Sequence, residues 1–247
     1  MIQMPQGIVL TLDWLKQQGI SSKLAWWYVR SQWLERVGDE AYKKSGENIT
    51  WSGALSALQN QLHLSLHVGA KTTFELLGQS HFIPMKGIKQ VILFADPGTR
   101  IPKWLFNKEA WKVDFKMHAA SLFLDDNLNL GIIEKPIDGV NIFLSCPERA
   151  ALEMLYLVPS KQSFEEAVLL MEGLRQLRPS VIQQLLEKCK SIKVKRLFLH
   201  LAERFEHTWL SELKLNKVNL GLGKRVIGSG GNYDPKYQIS VPKIVEE

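Results

Sequence analysis

The residues with the most capacity for chemistry are two carboxylates and a lysine. Asp96-Pro97 follows one predicted strand and Asp114-Phe115-Lys116 lies on the next. Metal-dependent nucleases place an acid after one strand and an acid-x-Lys pair on its neighbour. The carboxylates hold magnesium and the lysine orients the attacking water. Short acid-x-Lys matches also arise by chance in a charged chain, so this pattern needs the fold to assemble it. Other enzymatic signatures fail on their own terms. A phosphate loop GxxxxGK[ST] needs a hydroxyl after its lysine, but Gly223-Lys224 is followed by Arg225, and Val218 stands where the first glycine belongs. A nucleotidyltransferase needs Gly-Ser ahead of Asp-x-Asp. Gly228-Ser229 lies near the C-terminus, and Asp125-Asp126 are adjacent rather than alternating. No GxSxG elbow occurs, and Cys146, beside a predicted helix cap, reads as structural. His63 and His67 fall on the polar face of an alternating stretch, with no third ligand nearby and no HExxH. The expectation is no catalytic residue, no metal and no cofactor.

Charge points to binding instead. Thirty-one Lys and Arg against 25 Asp and Glu give a formal net charge of +6, which suits an anionic partner. The excess is uneven. Residues 84–118 carry seven basic and three acidic groups, 119–185 carry five and nine, and 186–247 carry twelve and seven. The first fifty residues hold six and five, so bulk charge does not place a site there. At 45% hydrophobic and 23% charged residues the composition is globular. No apolar run approaches the roughly 20 residues of a membrane span. The start has no basic flank followed by an apolar stretch, so no secretory signal is expected. Two cysteines make neither a disulfide framework nor a four-ligand zinc site. A reduced, cytoplasmic protein without membrane contact is expected.

The elements that would position a binding site are clearest near the N-terminus. In the stretch from Gly7 to Lys44, Thr11 can cap a short helix through Leu12, Trp14 and Leu15, and Gly19 supplies a left-handed stop. Ser21 or Ser22 caps a second helix running to about Gln32. Two short helices across a tight glycine turn form a helix-turn-helix. Trp33–Val37 and Ala41–Lys44, joined through Gly38-Asp39-Glu40, form a wing. In the second helix Ile20, Ala25, Tyr28 and Val29 face the first helix. Ser22, Lys23, Trp26, Trp27 and Arg30 fall on the other side. Two adjacent tryptophans cannot both face a small core, so one is expected at the surface. The predicted DNA-contacting set is Ser21, Ser22, Lys23, Trp26, Trp27 and Arg30 from the helix, with Arg36, Lys43 and Lys44 from the wing.

Further on, Thr50 caps a helix through Trp51, Ala54, Leu55 and Leu58. Leu62–Val68 reads as a strand and Lys71–Leu77 as a helix. After Pro84, Lys89–Ala95 and Lys112–Met117 read as strands, and Gly131–Lys135 with Val140–Leu144 as a hairpin about Asp138-Gly139. Ser145 with Glu148, and Ser163 with Glu166, look like capping boxes. Helices follow at about Ser180–Cys189 and Val194–Leu210. Lys188, Lys190, Lys193, Lys195 and Arg196 crowd their junction, as a solvated face or as a surface for an anionic partner. The fold class is α+β. Residues 1–83 form a winged helix-turn-helix domain with a helical and strand extension, and 84–247 an α+β domain with a small sheet and C-terminal helices.

The words GISSKLAWWYVRSQWLERVGDEAYKK, SCPERAALEMLYL and GKRVIGSGGNYDPKYQISVP, in that order, resemble the AbiEi family, antitoxins of type IV toxin–antitoxin and abortive-infection systems. One departure stands out: too little chain precedes Gly7 for the first helix many members carry, leaving a three-helix core to be completed from Thr50 onward. The resemblance implies a repressor of its own operon that binds double-stranded promoter DNA. It also implies a functional partner, an AbiEii-like nucleotidyltransferase toxin, with no stable complex required and antitoxicity carried by the C-terminal half. A stand-alone winged-helix regulator and a winged-helix-targeted metal-dependent nuclease are the alternatives.

Overall fold

The computed structural model describes residues 4–78, 87–124, 129–229 and 231–243. The boundary expected after residue 83, and Asp125-Asp126, lie outside them. Tertiary contacts gather the chain into two compact units. One draws on residues 1–68, 86–120 and 133–144, and the other on 69–85, 121–132 and 145–247.

In the first unit, Thr11 ends a short strand, β1 (Leu10–Thr11), and caps α1 (Leu12–Gln17). Its hydroxyl accepts from the Trp14 N–H at 3.2 Å, satisfying a donor that the helix leaves open. Gly19, at φ +80°, makes the left-handed stop. Ser21 caps α2 (Ser22–Arg30), accepting from the Leu24 N–H at 3.2 Å. The wing strands β2 (Leu34–Gly38) and β3 (Ala41–Lys44) pair antiparallel, and β3 also pairs with β1. Leu10, Leu12, Leu15, Ile20, Ala25 and Leu34 close the core, with Trp14, Tyr28 and Val29 packed against it.

Among the described residues, no third helix contributes to that core. The next helix, α3 (Trp51–Ser56), runs into a π-helical turn at Ala57–Gln61 and attaches through an amide. Gln61 Oε1 accepts from the Thr11 N–H and hydroxyl at 2.9 and 3.0 Å, and its Nε2 donates to the Val9 carbonyl at 2.8 Å. Thr50 takes the cap position, but its hydroxyl bonds Ser52 Oγ rather than the helix backbone.

The same unit holds a five-stranded sheet. Its strands are β4 (Leu66–Val68), β5 (Gln90–Ala95), β6 (Asp114–Ala119), β7 (Ile132–Ile137) and β8 (Val140–Ser145), in the order β6-β5-β4-β8-β7. In the chain, α4 (Ala70–Leu76) follows β4 and α5 (Lys108–Trp111) precedes β6. The strand expected at Leu62–Val68 keeps only its last three residues, with His63 turned into the left-handed region at φ +50°. Asp138 and Gly139, at φ +50° and +79°, close the β7–β8 turn as expected. Gln59 completes the short β4–β8 junction: Oε1 accepts from the Phe143 N–H at 2.9 Å, and Nε2 donates to the Phe143 and Leu66 carbonyls.

The second unit contains α4 with α6 (Pro147–Leu157), α7 (Phe164–Gly173), α8 (Pro179–Lys188) and α9 (Ile192–Arg204). A small sheet of β9 (Arg225–Val226), β10 (Gly231–Asp234) and β11 (Ile239–Pro242) follows, in the order β10-β11-β9. Ser163 caps α7 as expected, at 3.1 Å from the Glu166 N–H. The capping box at Ser145 does not form. Cys146 holds the cap position, and both expected partners have stronger tertiary ones. Ser145 Oγ donates to Glu153 Oε2 at 2.7 Å, and Glu148 takes both the guanidinium and the N–H of Arg178.

Glu148 is 2% exposed and Arg178 58%. Burial disfavours the charged carboxylate, but the Arg178 hydrogen bonds outweigh it and bring the Glu148 pKa from 4.5 to about 2. The folded-state value is the lower one, so the stabilisation is present above pH 4.5 and is lost as pH falls toward 2. Glu148→Gln is expected to cost about 2 kcal/mol at pH 7, the solvent around Arg178 screening the rest. It should also flatten the acid limb of a urea-midpoint series between pH 5 and 2. Parallel acid limbs in both proteins would refute the assignment.

Candidate nucleic-acid interface

The outer side of α2 is exposed at Ser21, Ser22, Lys23, Trp26, Trp27 and Arg30, while Ala25 is buried. Trp26 and Trp27 are 56% and 52% exposed, so both stand at the surface. The Arg30 guanidinium lies 5.0 Å from the Trp26 ring centre, an arrangement that holds a cation beside an apolar surface. Trp33, expected as the first residue of the wing strand and not among the expected DNA contacts, lies just before β2 and is 67% exposed. Its ring stacks on Tyr28 at 6.0 Å, and Tyr28 meets Trp27 edge-on at 5.8 Å.

Each wing cation has an intramolecular partner. Arg36 donates to the Gly38 carbonyl and to Asp39 at 2.6 Å across the wing turn. Lys43 pairs with Glu35 at 3.0 Å and donates to the Glu47 carbonyl. Lys44 donates to the Met4 carbonyl at 2.6 Å. The Gly46 N–H and Lys43 hold the Glu35 carboxyl below its usual range, so it stays ionised beside Lys43. A cleft of about 400 Å³ near the wing turn includes Asp13, Asp39 and Glu40 with a single cation, Lys103. Its charge is wrong for phosphate.

The five cations of the C-terminal run do not share a surface. Lys195 and Arg196 are buried, Lys188 and Lys193 partly so, and Lys190 is exposed. Arg196 is 2% exposed and spends its donors on the carbonyls of Leu220, Gly221, Gly223 and Gln238. Lys193 donates to the carbonyls of Tyr156 and Val158 at the end of α6, where a cation complements the helix terminus. Lys190 donates to Ser121 Oγ at 2.6 Å.

The nuclease pattern is pulled apart by register. In the parallel pair β5–β6, Asp114 lies opposite Gln90 and Ala119 opposite Ala95. Asp96 follows the far end of β5, so six residues at ~3.3 Å separate the two carboxylates by roughly 20 Å along the strand. They cannot share one ion. Lys116 pairs with Asp114 at 3.0 Å. Among the described residues no group of three His, Cys, Asp or Glu could hold a metal, and no helix is long and apolar enough to cross a membrane. Burial, with Glu148 adding to it, pushes the Cys146 thiol up to about 12, and burial pushes Cys189 up to about 11. Neither is a ready nucleophile.

The fold is similar to that of the RV2827C protein from Mycobacterium tuberculosis, with a TM-score of 0.60 at 12% identity over 95% of this chain and 86% of that one. None of the curated proteins compared with the chain matches it. Residues 1–85 match the family model described as the N-terminal domain of the AbiEi antitoxin transcriptional regulator. Residues 88–242 match the one described as a transcriptional regulator, AbiEi antitoxin, of a type IV toxin–antitoxin system. With both matches running in order along almost its whole length, the chain belongs to the AbiEi antitoxin family of type IV toxin–antitoxin transcriptional regulators.

Proposed function

We propose that this protein binds double-stranded DNA at its own promoter through the outer face of α2, represses its operon, and counteracts a nucleotidyltransferase toxin. It acts by binding rather than by catalysis. The observation that carries the DNA half is the exposed set Ser22, Lys23, Trp26, Trp27 and Arg30 on the second helix of a winged helix-turn-helix, the element that enters the major groove in such folds. Arg36, Lys43 and Lys44 support it by fixing the wing's shape, and they would reach phosphate only on leaving their present partners. The toxin half rests on the family's description as an antitoxin.

Removing Lys23 and Arg30 together should weaken promoter binding at least tenfold, since a base-reading arginine is worth about 1–3 kcal/mol and a phosphate contact adds to it. Folding should be unchanged, because both side chains stand in solvent. Titration of Lys23→Ala/Arg30→Ala against the promoter fragment and an unrelated duplex, beside a thermal melt, measures this. Wild-type affinity in a folded double variant would end the assignment. Toxin co-expression tests the other half, and the variant is expected to keep its rescue of growth.

A further inference from the structure

The turn Leu220–Arg225 in the second unit has an unusual foundation. Arg196 lies beneath it, and its hydrogen bonds all go to main-chain carbonyls, three of them, those of Leu220, Gly221 and Gly223, within this turn. A trans peptide sets its N–H opposite its C=O. With the Gly221 and Gly223 carbonyls drawn in toward Arg196, the N–H groups of Leu222 and Lys224 are turned out toward the other side. Among the described residues no hydrogen bond occupies either of them. Gly221 and Gly223 stand at φ +64° and +75°, and Leu222 between them does not take a positive φ. Alternation of left- and right-handed residues is the backbone pattern that turns N–H groups to one side in anion-binding concavities.

The charges beside it agree. Lys224 is exposed and Arg225 partly so. Lys224 Nζ sits 5.0 Å from the ring centre of Tyr233. The nearby carboxylates Asp234 and Glu203 are already engaged with His200 and Lys236. Arg196, hydrogen-bonded to carbonyl oxygens, adds a positive charge beneath the turn to those of Lys224 and Arg225 beside it. Leu222 is 90% exposed.

We propose that Gly221–Arg225 is a phosphate-binding site, formed by the outward N–H groups of Leu222 and Lys224 and the side chains of Lys224 and Arg225. The phosphate is that of a nucleic-acid backbone or of a free nucleotide. The site lies in the second unit and does not depend on the α2 reading. Amide chemical shifts of the isotopically labelled full chain test it, with inorganic pyrophosphate as one probe and a generic 20-base-pair duplex as the other. Saturable shifts centred on Leu222 and Lys224 are expected. Pyrophosphate as the effective probe identifies free phosphate compounds, and a response to the duplex alone identifies backbone phosphate. Lys224→Ala/Arg225→Ala should weaken the response about tenfold or more at an unchanged melting temperature. The unaltered chain alone decides the first point, and Lys224→Ala serves as the milder variant. Unmoved Leu222 and Lys224 amides with both probes, or equal affinity in the wild type and a folded variant, would overturn the proposal.

Discussion

Replacing Arg196 with methionine is expected to destabilise the protein by about 3–5 kcal/mol, because each buried carbonyl left without a donor costs roughly 1–3 kcal/mol and water can reach only some of those on the turn. The side chain is among the largest fully buried ones, and four carbonyls converge on it. Arg196→Lys should recover little, since a point ammonium cannot reproduce the planar fork. Urea unfolding measures this, with the midpoint falling and the slope unchanged. A loss below about 1 kcal/mol would mean that the turn rearranges freely. Neutralising all five cations of the run would therefore report on folding, so Lys188 and Lys190 have to be tested apart from Arg196.

The second large effect belongs to Glu153. Its carboxylate is 1% exposed and lies 2.8 Å from Arg149 Nε, whose side chain is 8% exposed. It also accepts from Ser145 Oγ at 2.7 Å and from the Ala70 N–H at 3.3 Å. Arg149 donates further to the Leu130 carbonyl and lies over the Phe123 ring. Glu153→Ala removes the carboxylate from a buried guanidinium, and removing one partner of a buried pair costs about 3–5 kcal/mol. Glu153→Ala/Arg149→Met removes both charges and should recover part of that loss, as in any coupled pair. Additive losses in the double variant would show that the two residues act independently.

These residues also mark where sequence reading succeeds. Thr11, Gly19, Ser21 and the wing turn act over a few residues, so local chemistry decides them and they stand as expected. The outward set on α2 follows from helical period in the same way. Ser145 and Glu148 carry the same local signal, but Glu153 and Arg178 compete for them from eight and thirty residues away. Spacing along the chain contains no trace of that contest. A run of five cations normally reads as a solvated face. The burial of Arg196 depends on carbonyls up to 42 residues downstream. The acid-x-Lys pattern fails for a third reason: the strand register sets which ends meet, and a parallel pairing separates Asp96 from Asp114. Trp33 was not legible: β2 begins after it, and burial along the strand does not alternate, with Leu34 buried but Arg36, two residues on, exposed.

We propose that α2, rather than the wing, meets DNA. This is tested most directly by the salt dependence of promoter affinity in three proteins: wild type, Lys23→Ala/Arg30→Ala and Lys43→Ala/Lys44→Ala. Each phosphate that the protein no longer neutralises reduces the slope of log K against log salt by about 0.9. In the helix variant the slope is expected to fall by one or two such steps, together with the preference for the promoter. The wing variant, whose lysines already serve Glu35, Glu47 and Met4, should keep the wild-type slope. A wild-type slope in the helix variant, with the reduction appearing in the wing variant instead, would place the phosphate contacts on the wing and not on α2.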